Sequence, residues 1–274
     1  MSECVNNYYV FNDKIKKSED FDEKYLKEGK SLYEVIRIIQ GVPLYVEKHL
    51  ERLQYSSKLT GENVWLDSKK IEEYIIELVN ANKVEAGNVK IVFNFNKENN
   101  FMMYFIKHKY PTQDMYHKGV STILYHGERN NPNAKVIDSD FRKKVNIEID
   151  SKKAYEAILV DRDGNITEGS KSNIFMVKDN EVLTAPLKDV LPGVTRAVIM
   201  ELCSKLGLDV KESKVHYNDI KKFDALFICG TSPKVLPISR VDEFKFESAN
   251  NVVLNRIKCK YDEHINKYVK SKRN

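Results

Sequence analysis

The sequence predicts an α/β protein of the α+β kind, folded as two domains, and three observations support this. With 274 residues, 42% of them hydrophobic, the chain can bury a sizeable core and suits one large domain or two modest ones. The first half reads as hairpin, two helices, hairpin, a layered order rather than a strict βαβ alternation. Near the middle, HGERNNPNAK breaks the apolar pattern with a polar stretch holding one Gly and one Pro, the mark of a linker. The expected division is an N-terminal domain over 1–120, a linker over 121–134 and a C-terminal domain over 135–274.

Residues 31–39, SLYEVIRII, are β-branched and aromatic, and QG turns the chain into VPLYV, which predicts a hairpin. VEKHLERLQYSSKLTG then has apolar residues at helical spacing, with Leu50, Leu53 and Leu59 expected inward and Gly61 as the stop. A second helix is expected from Asp67–Ser68 through IEEYIIELVNA. VKIVFNF and FMMYFIKH, separated by the polar NKENN, predict another hairpin. Beyond the linker, Phe141, Val145 and Ile149 recur at four-residue steps and predict a helix from Val136 to about Lys153. Strand EAILV, turn DRDGN, the stretch NITEGSKSNIF and a hairpin NIFMVKDNEVLTA follow. PGVTRAVIMELCSKLG predicts a helix with Pro192 and Gly193 at its start, Ala197, Ile199, Leu202 and Leu206 in its pattern, and Gly207 at its end. The rest reads as strand LDVKESKV, a short helix near NDIKKF, strand ALFIC, turn GTSPK, strand VLPIS and a last helix from about Asn250.

Composition excludes several kinds of function. The balance of 45 Lys plus Arg against 40 Asp plus Glu leaves +5, and no aromatic-rich basic motif or zinc spacing accompanies it, so neither nucleic acid nor metal is expected. No segment approaches a membrane span and the start resembles no signal peptide, so a cytoplasmic protein is expected. Cys4, Cys203, Cys229 and Cys259 form no CxxC pair and read as reduced structural thiols. Neither GxGxxG nor GxxxxGK[ST] occurs.

Three places suit a phosphate. The helix beginning at PGVTR offers the N–H groups of Val194 and Thr195 and the Thr195 hydroxyl in the positive field of a helix start. The turn CGTS adds Thr231 and Ser232, and Arg52 is a candidate cationic partner. Lys135 stands at the junction of linker and helix, unlike the lysines along the helical faces. Taken singly, each of these is more often a solvated turn, cap or side chain than a ligand site.

Their order changes that balance. Arg52 in HLER, Lys135 after a Pro-containing linker, TEGSxSN, LPGVTR and then GTS form a set that resembles the class IV pyridoxal-phosphate aminotransferases, the family of branched-chain and D-amino-acid aminotransferases and aminodeoxychorismate lyase. The resemblance runs from about Tyr33 to Pro237. It implies the two-domain fold-type IV architecture, with a smaller N-terminal domain and the cofactor in the cleft. It also implies pyridoxal 5'-phosphate, an amino acid and a 2-keto acid as substrates, and a homodimer. By the same resemblance Lys135 is the Schiff-base lysine, Glu168 the partner of the pyridine nitrogen, Arg52, Val194, Thr195, Thr231 and Ser232 the phosphate cradle, and Tyr33 an aromatic at the substrate pocket. Transamination is the expected activity; elimination of pyruvate to form p-aminobenzoate, or cofactor binding without catalysis, are the alternatives.

The chain also departs from the family. Asp138 and Ser139 replace the residues usual just past the lysine, and a carboxylate there either raises the pKa of the amine and slows its attack or points at solvent. Phe95 falls near the place of a substrate-carboxylate arginine, and Phe93, Phe95 or Phe105 would line an apolar pocket. Lys171 is the candidate for the missing charge.

Overall fold

The computed structural model describes residues 2–273. Its contacts divide the chain into a first unit, Met1–Lys109, Ala134–Ile137 and Ile265–Asn274, and a second, Tyr110–Asn133 and Asp138–His264.

In the first unit the chain forms β1 (Cys4–Phe11), β2 (Lys14–Lys17), α1 (Lys24–Lys27), β3 (Lys30–Ile39), β4 (Val42–Pro43), α2 (Val46–Thr60), α3 (Ser68–Asn82), β5 (Ala86–Phe95) and β6 (Asn100–Ile106). The sheet order is β2-β1-β6-β5-β3-β4, antiparallel throughout. From Leu32 to Ile39 burial alternates along β3, because successive side chains of a strand point to opposite faces. Leu32, Ile36 and Ile38 join Ile91 and Phe93 of β5 against Leu50, Leu53, Ile71, Ile75 and Leu78 of the two helices. Tyr33, Val35 and Arg37 therefore lie on the opposite face.

Several elements differ from their sequence expectation for local reasons. The turn Gln40–Gly41 has positive φ at both residues, 52° and 77°, as a two-residue hairpin requires. Its second strand is short, since Pro43 gives no N–H and Tyr45 turns left-handed at the start of α2. The full partner of β3 is β5, paired from Lys30↔Phe95 to Ile39↔Ala86. Leu59 is exposed: it lies nine residues from Leu50, about 180° round the helix. The pair β1 and β2 escaped prediction because Asn6 and Asn7 interrupt the apolar alternation, where the register also shifts.

Residues 134–137 take the stretch of the β3 edge that the short β4 leaves. Val136 bridges Leu32, the Tyr33 N–H donates to the Lys135 carbonyl at 3.1 Å, and the Ile137 N–H donates to the Ser31 carbonyl at 3.0 Å. The expected helix from Val136 accordingly starts later.

The second unit contains α4 (Gln113–Lys118), β7 (Val120–His126), α5 (Ser139–Ser151), β8 (Glu156–Val160), β9 (Asn165–Gly169), β10 (Asn173–Lys178), β11 (Glu181–Thr184), α6 (Val194–Lys205), β12 (Asp209–Glu212), β13 (Val215–His216), β14 (Ala225–Gly230), β15 (Lys234–Val241), β16 (Phe244–Lys245) and α7 (Val252–Arg273), whose residues from Ile265 group with the first unit. The strand path is β12-β11-β10-β14-β15-β7-β8-β9-β13, and an added pairing of β9 with β10 closes β10, β14, β15, β7, β8 and β9 into a ring. Inside it pack Ile158, Ile166, Ile174, Met176, Leu226, Ile228, Leu236 and Ile238. The first residues of the expected linker, 121–126, are thus strand β7, paired in parallel with β15 and β8. LDVKESKV splits into β12, which pairs with β11, and β13, which pairs with β9. Ala197 is exposed on α6, whose buried stripe is Val198, Ile199, Leu202 and Cys203.

Candidate functional site

Lys135 owes its place to backbone pairing. Its main chain is laid along β3, and its N–H also donates to Ser56 Oγ of α2 at 3.1 Å. Opposite residues of an antiparallel pair share a face, so the Lys135 side chain lies over Tyr33, with Nζ 4.6 Å from the ring centroid. This is the face turned away from the helices.

On the helix face, Glu34 receives Arg52 Nε at 2.7 Å and Nη2 at 2.6 Å, and His49 Nδ1 lies 2.8 Å away. All three side chains are buried. Burial alone would push the Glu34 carboxyl up, yet the Arg52 guanidinium and His49 hold it at about 2. Burial also lowers the pKa of His49. Arg52, expected at a phosphate, is therefore fixed in direction by a carboxylate within its own unit.

In the second unit the β9–β10 pairing sets Glu168 directly across from Asn173. Glu168 is 4% exposed. Arg129 Nη1 donates to its Oε1 at 3.1 Å; the Leu191 N–H and Asn173 Nδ2 donate to Oε2 at 3.0 and 3.4 Å. The Asn173 amide donates also to the Leu191 carbonyl at 3.1 Å, which ties the carboxylate to the approach of α6. The first intrahelical bond of α6 runs from the Ala197 N–H to the Gly193 carbonyl, so the N–H groups of Val194 and Thr195 have no partner within the helix. Both residues are buried.

Gly193 caps this helix without a side chain. A Cβ there would collide with Asn173 Oδ1. Gly193→Ala should therefore shift Asn173 away from Glu168 and lower about tenfold the affinity for the cofactor that the sequence resemblance implies, by disturbing a hydrogen bond to a charged group. Fluorescence titration with pyridoxal phosphate checks it; unchanged affinity would mean that the cap does not bear on the site.

A second carboxylate shapes the turn after Glu168. Glu156, 5% exposed, accepts from Ser170 Oγ at 2.6 Å, Ser172 Oγ at 3.2 Å and the Lys171 N–H at 3.3 Å, while Arg142 Nη1 donates to the Ser170 carbonyl at 2.6 Å. The small polar residues of TEGSKSN thus bind a structural acid. Lys171 itself is exposed on that turn. Thr231 and Ser232 follow β14, where Gly230 lies beside the Lys171 carbonyl, and both are half-buried.

One expectation from the family departures is corrected, and one open question about them is answered. Phe93, Phe95 and Phe105 belong to the helix-side core, with Phe95 edge-on to Trp65 at 5.9 Å, because odd positions of β5 and β6 face the helices. Phe95 is thus on the opposite sheet face from Tyr33 and Lys135. Asp138 caps α5, accepting from the Phe141 N–H at 3.0 Å. Among the functional candidates, sequence reasoning missed Arg129, Glu34 and His49; Glu34 in LYEVIR and His49 in HLER were visible as residues, but their meeting needs the strand–helix packing.

Burial pushes the thiols of Cys4, Cys203 and Cys229 up to about 12, which leaves them poor nucleophiles. Among the described residues no helix is long and apolar enough to cross a membrane. Three or more His, Cys, Asp or Glu side chains do not converge as a metal site among them.

The chain and its fold are similar to those of known proteins. A D-alanine aminotransferase of Bacillus licheniformis is 27% identical over 235 residues, covering 81% of this chain and 83% of its own. The Escherichia coli branched-chain amino acid aminotransferase superposes with a TM-score of 0.87 at 21% identity, over 95% of each chain. The T.th. branched-chain amino acid aminotransferase, solved with pyridoxamine 5'-phosphate, gives 0.86 at 21% identity over 96% of this chain and 95% of its own. Residues 31–241 match the profile described as amino-transferase class IV, and the chain belongs to that family.

Proposed function

We propose that this protein transfers an amino group between an amino acid and a 2-keto acid with pyridoxal 5'-phosphate as cofactor. The observation that carries the reading is the buried Glu168, joined through Asn173 and Leu191 to the glycine-capped start of α6. An acid acceptor beside an anion-binding helix start fits a cofactor with a protonated ring nitrogen and a phosphate. The relative named as a D-alanine aminotransferase and the neighbour solved with pyridoxamine 5'-phosphate support it.

When bound, the cofactor supplies an electron sink that makes loss of the α-proton feasible. The protein groups supply the rest. Glu168 accepts from the ring nitrogen and keeps its proton in place, while Arg129 and the Leu191 N–H hold the carboxylate still. The N–H groups of Val194 and Thr195, the hydroxyls of Thr195, Thr231 and Ser232, and the Arg52 cation bind the phosphate. Lys135 would hold the cofactor through its amine and, once displaced by the substrate amine, would carry the α-proton across to the cofactor's carbonyl carbon. Tyr33, in contact with Lys135, bounds the place where the amino acid enters. The working protein is a cytoplasmic homodimer, with an amino acid and a keto acid as its small-molecule partners and no nucleic acid.

The test is the absorption spectrum of the purified protein with pyridoxal phosphate, before and after a panel of D- and L-amino acids. Loss of the lysine-bound cofactor band with particular amino acids, matched by their keto acids, is expected. Turnover without any keto-acid acceptor would replace the reading by a lyase, and no spectral change with any amine would end it.

A further inference from the structure

The sheet face that holds Tyr33 and Lys135 also holds Lys90, in β5. Its cross-strand neighbours are Val35 and Tyr104, so no adjacent strand gives it a carboxylate. Its side chain is only 10% exposed, and its Nζ lies 5.5 Å from the centroid of the same Tyr33 ring that Lys135 approaches to 4.6 Å. A buried ammonium needs a counter-charge. Glu3, just before β1, provides it: Oε1 accepts from Lys90 at 2.7 Å and Oε2 accepts from Tyr104 Oη at 3.1 Å.

The two ends of this pair differ in exposure. Lys90 is held inside the sheet face, whereas the Glu3 side chain is 39% exposed and comes from the chain before the first strand. A small-molecule carboxylate that reached Lys90 from this face would have to compete with Glu3 for the ammonium. We propose that Glu3 is a specificity-determining residue: an internal carboxylate that occupies Lys90 and biases the site against amino acids with acidic side chains. The inference rests on the aminotransferase reading for its substrates, but its physical content is competition between two carboxylates for one ammonium.

Glu3→Gln removes the charge and keeps the shape, and Lys90→Met removes the contested cation. In the full chain loaded with pyridoxal phosphate, Glu3→Gln should raise the ratio of half-reaction rates for glutamate over leucine about tenfold, the scale of one hydrogen bond to a charged group. Lys90→Met should abolish that gain when combined with it. Calorimetry with glutarate on the cofactor-free chain reads the same competition without turnover, with about tenfold tighter binding to Glu3→Gln than to the wild type and none of that gain in the double variant. Should the wild type turn over no amino acid, the aminotransferase reading fails, and glutarate binding still decides this one. An unchanged glutamate-to-leucine ratio together with unchanged glutarate affinity would reduce Glu3 to a structural staple and overturn the proposal.

Discussion

Replacing Lys135 by alanine is expected to lower the rate of amino transfer by roughly 10³–10⁴-fold or more, since on the proposed reading it removes both a covalent anchor and a general base. The fold should survive. The hydrogen bonds that seat residue 135, from its N–H to Ser56 Oγ and to its carbonyl from the Tyr33 N–H, use main-chain atoms that alanine keeps. Unfolding free energy should therefore change by less than about 1 kcal/mol, as for a substitution outside any core contact. The two readouts together separate chemistry from stability. A Lys135→Ala protein that still exchanges amino groups near the wild-type rate would show that another amine does the work.

Which parts of the fold and of the candidate site were legible follows from what a pattern in sequence can carry. The helices α2, α3 and α6 announce themselves by local spacing and by Gly61, Asp67 and Gly193 at their ends. Glu168 stood out because TEGSKSN is dense in polar residues, but the sequence does not say that its serines, Ser170 and Ser172, are bound by Glu156, 14 and 16 residues earlier. Phe95 was misplaced by a question of register: a shift of one residue along a strand changes its face, and register is set by the pairing with β3. Arg129 lay within a segment that composition marks as linker. Only the closure of β9 on β10 brings Glu168 to where an arginine from that segment reaches it.

Long-range pairing of the same kind makes the second large effect, in stability rather than chemistry. Glu34→Gln should destabilise the protein by about 3–5 kcal/mol, because it leaves the Arg52 guanidinium buried without its counter-charge. The pH dependence follows in sign. The folded-state pKa of Glu34 is depressed to about 2, so its contribution is present above the unfolded carboxyl value of about 4.3 and is lost as pH falls through about 2. His49 is depressed as well: the unfolded chain takes up a proton near about pH 6.5 before the folded chain does, so stability falls below that point too. Urea unfolding of the wild type at pH 7, 5 and 3 should show both losses, and Glu34→Gln should lack the lower one. Adding Arg52→Met to Glu34→Gln should recover much of the deficit, since a neutral pair strands no charge. If Glu34→Gln were as stable as the wild type at pH 7, the Glu34–Arg52 pair would not hold α2 to β3, and the packing of the two helices alone would have to account for that contact.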